Sequence, residues 1–102
     1  DLIDIHDADG RIVDANRRLC DELGYERDEL LGKRVWEVDE TIGPDEATRT
    51  WAEMESGEMR ELGGRFRRRD GSTFPVTVHV ARVDLRGTDR FFVIAREATG
   101  DR

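Results

Sequence analysis

Phe74-Pro75-Val76-Thr77-Val78-His79-Val80-Ala81 is the stretch that decides the fold. Apolar Phe74, Val76, Val78 and Val80 alternate with Pro75, Thr77, His79 and Ala81, the period of two expected of a half-buried strand. The same period continues on either side. Upstream, Leu62, Gly64 and Phe66 share one face of a strand that begins near Met59, with Gly63, Arg65 and Arg67 on the other. Downstream, Phe91, Val93 and Ala95 alternate with Phe92, Ile94 and Arg96. Asp70-Gly71-Ser72 and Arg86-Gly87-Thr88-Asp89 are turn sequences. The C-terminal half therefore reads as three consecutive antiparallel strands.

The N-terminal half is organised differently. Leu2, Ile3 and Ile5 begin a short strand, Asp7-Ala8-Asp9-Gly10 turns it, and Arg11 to Ala15 returns as a hairpin partner. Asn16 is placed to cap a helix whose apolar face is Leu19, Cys20 and Leu23, ended by Gly24. Tyr25 to Leu31 reads as a further helical turn stopped by Gly32. Val35-Trp36-Glu37-Val38 is compatible with either an extended segment or a single turn. Gly43-Pro44 opens a clearer helix: proline suits the first helical position, Asp45 and Glu46 suit the positive end of the dipole, and Ala47, Trp51 and Met54 form one stripe. Two strands, short helices and three long strands make a single α+β domain with a five-stranded antiparallel sheet and helices on one face. A space between helices and sheet is a place for a small ligand.

Composition limits the function further. Of 102 residues, 40% are charged, and the formal net charge is -7. Of the 17 basic residues only Lys33 is a lysine. An acidic, lysine-poor surface suits a salt-rich cytoplasm such as a haloarchaeon's, where repulsion is screened; a genome composition favouring arginine codons gives the same pattern. Negative charge argues against nucleic acid as partner. No apolar run approaches the ~18 residues of a membrane span. The single cysteine, Cys20, excludes an internal disulfide and fits a reducing cytoplasm. The chain opens on Asp1 in an apolar alternation and reads as a piece of a larger protein.

Three segments in order, Asp9-Gly10-Arg11-Ile12-Val13-Asp14-Ala15-Asn16, Leu23-Gly24-Tyr25 with Glu29-Leu30-Leu31-Gly32-Lys33, and Phe66-Arg67-Arg68-Arg69-Asp70-Gly71-Ser72 leading into Phe74-Pro75-Val76, resemble the PAS family of sensory domains. The resemblance implies cytoplasmic signalling, frequent homodimers, and a flanking helix that passes a change of state to a histidine kinase, transducer or transcription regulator. PAS domains often place Asp-Ile-Thr at the junction with that helix. Here the positions are Glu97, Ala98 and Thr99, so Glu97 and Thr99 keep the junction's polar character and Ala98 departs from it.

Two cofactor chemistries implied by parts of the family are argued against. The flavin-photosensing group uses a cysteine in Gly-x-Asn-Cys-Arg, whereas the matching stretch, Gly32-Lys33-Arg34-Val35-Trp36, has valine there. The inner sheet positions Phe66, Val76 and Ala95 also offer a flavin no side-chain hydrogen bond. Haem-binding PAS domains supply a histidine from the helix that here runs from about Pro44 to Glu55, which has none. His6 and His79 are both expected at a surface or interface, with no metal bound to either. The expected cavity is apolar throughout: Trp51, Phe66, Val76, Val78, Phe91 and Val93, with Trp36 beside them. It suits a small apolar or aromatic ligand, unless these side chains fill the space themselves.

Other features have plain structural explanations. The Arg65, Arg67, Arg68 and Arg69 run is expected to be solvated or paired with nearby carboxylates. No Ser/His/Asp set, phosphate loop or metal cluster presents itself, so the expectation is a non-enzyme. Ala81, Val83, Phe92 and Ile94 make the outer sheet face apolar enough to serve as an interface. A ligand-free dimerisation or docking module is the alternative reading.

Overall fold

The structure, a computed structural model, describes residues 1–98. Strands β1 (Leu2–His6) and β2 (Ile12–Ala15) precede helices α1 (Arg17–Leu23), α2 (Arg27–Leu30) and α3 (Pro44–Glu53), with a 3-10 turn at Val35–Glu37. Strands β3 (Met59–Arg67), β4 (Thr73–Leu85) and β5 (Thr88–Glu97) follow. All five form one antiparallel sheet in the order β2-β1-β5-β4-β3. The first and last strands therefore meet near its centre, where β1 pairs with β5 through Leu2↔Ala95 to His6↔Phe91.

Local chemistry explains the N-terminal elements. Asn16 Oδ1 accepts from Leu19 N at 3.0 Å, which caps α1, and also from Ile3 N at 3.1 Å, which ties the cap to β1. Gly24 ends α1 in the left-handed conformation. Leu19, Cys20, Leu23 and Leu30 are buried beneath this half. Backbone bonds from Ile12 N to Lys33 O and from Val35 N to Gly10 O, both 2.9 Å, then fasten the 3-10 turn to the first hairpin. The Val35–Val38 segment is thus a turn.

The sheet's inner face is set by the pleat. Phe66, Phe74, Val76, Val78, Val80, Phe91, Val93 and Ala95 are all buried, while Thr77 and His79 lie on the opposite face. Helix α3 crosses this inner face and buries Ala47 and Trp51 against it, with Met54 just beyond. Arg82 holds the far end: its guanidinium donates to the Met54 carbonyl and pairs with Asp89 at 2.5 Å. Three of the four arginines in the run pair with carboxylates, Arg67 with Glu40 at 3.5 Å, Arg68 with Glu22 at 2.8 Å and Arg69 with Glu29 at 2.6 Å, while Arg65 donates to Thr73 Oγ1 at 3.3 Å. Arg68 also lies over the Phe74 ring at 4.3 Å.

One turn is under a steric constraint. Gly10 has φ of +85°, and a β-carbon there would stand 2.5 Å from Trp36 Cζ3 and 3.2 Å from Trp51 Cη2. Gly10→Ala is expected to destabilise the chain by about 1–3 kcal/mol from the left-handed backbone alone, measured by urea unfolding. An unchanged midpoint would contradict the left-handed backbone at Gly10.

Acid stability has a definite sign. The Arg27 hydrogen bond holds the Asp14 carboxyl below its ordinary range, and the Glu26 backbone N–H followed by Arg69 does so for Glu29. Arg60 lowers Glu58, and the Ser72 hydroxyl lowers Asp70. In each case the unfolded chain binds more protons, so the contribution is full above the ordinary carboxylate range and is lost as pH falls through the folded values. The urea midpoint should fall steadily as pH drops from about 5 to about 3, and a flat profile would refute the assignment.

Candidate functional site

An apolar-walled cavity lies between the sheet and α3, with a volume of about 50 Å³. Each wall comes from a different part of the chain. Trp51 descends from α3, and Val35, Val38, Asp39 and Ile42 come from the 3-10 turn and the loop after it. Leu62 and Phe66 come from β3, Val78 and Val80 from β4, and Val93 from β5. Asp4 and His6 complete it from β1.

These last two overturn the expectation of an apolar interior. His6 is 2% exposed and Asp4 6%, and both face inward, so His6 is neither a surface nor an interface residue. The reason is register. Asp4 pairs with Val93 and His6 with Phe91, which puts them on the inner face, while Ile3 and Ile5 pair with Ile94 and Phe92 on the outer face. His6 Nδ1 lies 3.2 Å from Asp4 Oδ1. The imidazole sits 5.4 Å from Phe91, nearly parallel to it, and 4.4 Å from Trp51. Its Nε2 is buried without a partner among the described residues. Asp4 and His6 thus bring polar chemistry to the cavity that the expected residues lack.

Asp39 adds a second carboxylate. Its Oδ1 accepts from Thr41 N at 3.0 Å, Thr41 Oγ1 at 2.6 Å and Arg65 N at 3.3 Å. Its Oδ2 occupies the place where Gly64 lacks a side chain, 2.8 Å from where a β-carbon would stand. The space beside Gly64 is therefore filled by Asp39.

Of the expected cavity residues, Trp51, Phe66, Val78 and Val93 line it. The other three lie elsewhere. Phe91 is buried behind His6 and Trp51, 5.6 Å from the Trp51 ring. Val76 is buried and packs beside Gly64. Trp36 stacks on Trp51 at 6.4 Å and is half-buried over the hairpin turn. Val35, where photosensing relatives have cysteine, is buried and lines the cavity. His79 is on the outer face, 3.4 Å from Glu61. Cys20 is buried among the α1 leucines, and burial pushes its thiol up.

Two further regions bear on function. Register aligns Ile5 with Phe92, Ala81 and Met59 in an apolar row across the outer face, and Ile3 with Ile94 in a row that continues into His79 and Glu61. Ile94 is 42% exposed there. At the junction, Glu97 pairs with Val76 at the end of β5, and Ala98 N donates to Pro75 O at 2.9 Å. Thr99 lies outside the described residues. No helix among the described residues is long and apolar enough to cross a membrane.

This architecture is shared with known proteins. The family model described as PAS domain matches residues 2–99. The PAS domain of an HTR-like protein from Haloarcula marismortui is 42% identical with a TM-score of 0.93, covering 96% of this chain and 86% of that one. A domain of a sensory box sensor histidine kinase/response regulator from Geobacter sulfurreducens is 27% identical with a TM-score of 0.78, covering 95% and 82%. A PAS domain from Desulfitobacterium hafniense, at 21% identity and a TM-score of 0.82, covers 96% and 92% and shares the fold. No curated protein sequence matches the chain. The chain belongs to the PAS domain family, and as such is a sensory signalling module.

Asp39→Ala removes the acceptor for the Thr41 and Arg65 amides that holds the loop on β3. It should cost about 1–2 kcal/mol in urea unfolding, and faster hydrogen exchange should appear at Thr41 and Arg65. Unaltered exchange at both amides would show that Asp39 does not anchor this wall.

Proposed function

We infer that this chain is the sensory part of a larger signalling protein, non-catalytic and cytoplasmic, in which occupancy of the cavity under α3 is the signal. The observation that carries this reading is an apolar-walled pocket of about 50 Å³ between the sheet and α3. That volume of about 50 Å³ corresponds to about three to five water-sized groups, taking roughly 10–15 Å³ for each. It is far below the roughly 300–1,000 Å³ of a pocket for a drug-sized molecule. A flavin or haem therefore needs the wall side chains to move, and so does the flat aromatic ligand suggested by the sequence. The occupant fitted to the walls as they stand is smaller, with only a few non-hydrogen atoms.

A ligand acts only through a difference in affinity between two states. Here the candidate states are two arrangements of β5, which supplies Val93 to the cavity and ends at Glu97. The recipient is an output domain of the same protein. A histidine kinase is favoured by the likeness to the Geobacter sulfurreducens sensor kinase domain, and a transducer or transcription regulator is the alternative. The acidic, lysine-poor surface is read as that of a salt-adapted protein, supported by the identity to the Haloarcula marismortui domain.

A second reading rests on a separate observation. The exposed Ile94 and its apolar neighbours on the outer face favour a homodimer built through the sheet, with or without a ligand. The two readings separate by experiment. Native mass spectrometry and thermal melts with a panel of small metabolites, in molar KCl and at low salt, should show a retained or stabilising small molecule. Concentration-dependent dimerisation abolished by Ile94→Glu, with no ligand effect on melting, would instead leave docking as the function.

A further inference from the structure

The polar end of the cavity narrows the chemistry of its occupant. His6 is 2% exposed, lines the cavity, and has one hydrogen bond, from Nδ1 to Asp4 Oδ1 at 3.2 Å. A carboxylate oxygen only accepts, so the proton of a neutral imidazole sits on Nδ1 and Nε2 is left as a buried acceptor. Nε2 has no partner among the described residues, and a buried polar atom left unpaired costs free energy. Asp39 faces the same cavity from the loop, and all three hydrogen bonds to its side chain fall on Oδ1, with Oδ2 held over Gly64. Asp39 stands on the β3 side, and β5 and β4 separate β3 from β1, so the polar atoms at the His6 end are those of Asp4 and His6, both acceptors toward the cavity. A purely apolar occupant would leave Nε2 unsatisfied, and an acceptor or anion would meet that bare acceptor and the Asp4 carboxylate beside it.

We propose that the Asp4–His6 pair is a recognition site for a short alkyl molecule carrying a hydrogen-bond-donating head, a hydroxyl or an ammonium. The donor reaches His6 Nε2 and the alkyl part lies against Trp51, Val78 and Val93. The volume limits the whole molecule to about four non-hydrogen atoms. This rests on the reading of the cavity as a ligand site and assigns that ligand its class.

Four small probes separate the possibilities: propylamine, propan-1-ol, the slightly larger propionate, and xenon. Each is titrated into the 102-residue chain, with binding read from the ¹⁵N resonance of His6 Nε2 and from the melting temperature. Propylamine or propan-1-ol should shift Nε2 and raise the melting temperature, with propionate inert and xenon weaker. His6→Asn keeps a donor for Asp4 but removes the Nε2 acceptor, and should lower the affinity for the donor probe roughly tenfold, the effect of one lost hydrogen bond. His6→Gln, whose amide oxygen reaches toward the Nε2 position, should recover much of it. The wild-type ¹⁵N shift decides the matter even if a variant fails to fold. Xenon or propionate binding in preference to both donor probes would overturn the proposal while leaving a ligand cavity in place. Entry of none of the four would overturn both.

Discussion

Every side chain on β3, β4 and β5 is assigned to one of two faces by the pleat of a continuously paired antiparallel sheet. A shift of one residue in any strand would turn its valines and phenylalanines out to solvent. The pairing of β4 with both neighbours, from Val76↔Glu97 to Leu85↔Thr88 on one side and from Met59↔Ala81 to Arg67↔Thr73 on the other, removes that freedom. The inner face then becomes the floor on which α3 must lie, because it is the apolar surface that the Ala47 and Trp51 stripe can cover. Cavity, junction and outer apolar row all inherit their positions from this register.

The long strands were legible in the sequence because each carries its own alternation over many residues. Phe74 to Val80 and Phe91 to Ala95 name their buried face without reference to anything else. So were the caps at Asn16 and Gly24, whose chemistry is local. β1 was not legible in the same way. In Leu2-Ile3-Asp4-Ile5-His6 the residues Ile3 and Ile5 are more apolar than Asp4 and His6, so local hydropathy favours the wrong face. What decides the matter is pairing with β5, more than eighty residues away in the chain, which places His6 beside Phe91 and Ile3 beside Ile94. The available signal was the strong alternation of β5 itself, whose face a paired neighbour must share.

The cavity was legible only in part for a related reason. Trp51, Phe66, Val78 and Val93 follow from facing positions, but the loop that supplies Val38, Asp39 and Ile42 has no period to read. Asp39 reaches the cavity because Gly64 leaves space for its carboxylate and because backbone bonds between Val38–Glu40 and β3 hold the loop down. Trp36 and Phe91 were expected at the cavity as large aromatic residues; they back Trp51 and His6 instead, and so stiffen its walls. The outcome is a small space with an apolar lining and a polar end.

The inward orientation of β1 is the claim on which this account of the cavity depends. A nuclear Overhauser spectrum of the free protein tests it most directly. The account predicts cross-peaks from the His6 imidazole protons to the rings of both Trp51 and Phe91, with the Ile3 and Ile5 methyls free of any contact to Trp51. Cross-peaks from those isoleucine methyls to Trp51, together with a His6 ring that contacts neither aromatic residue, would contradict it.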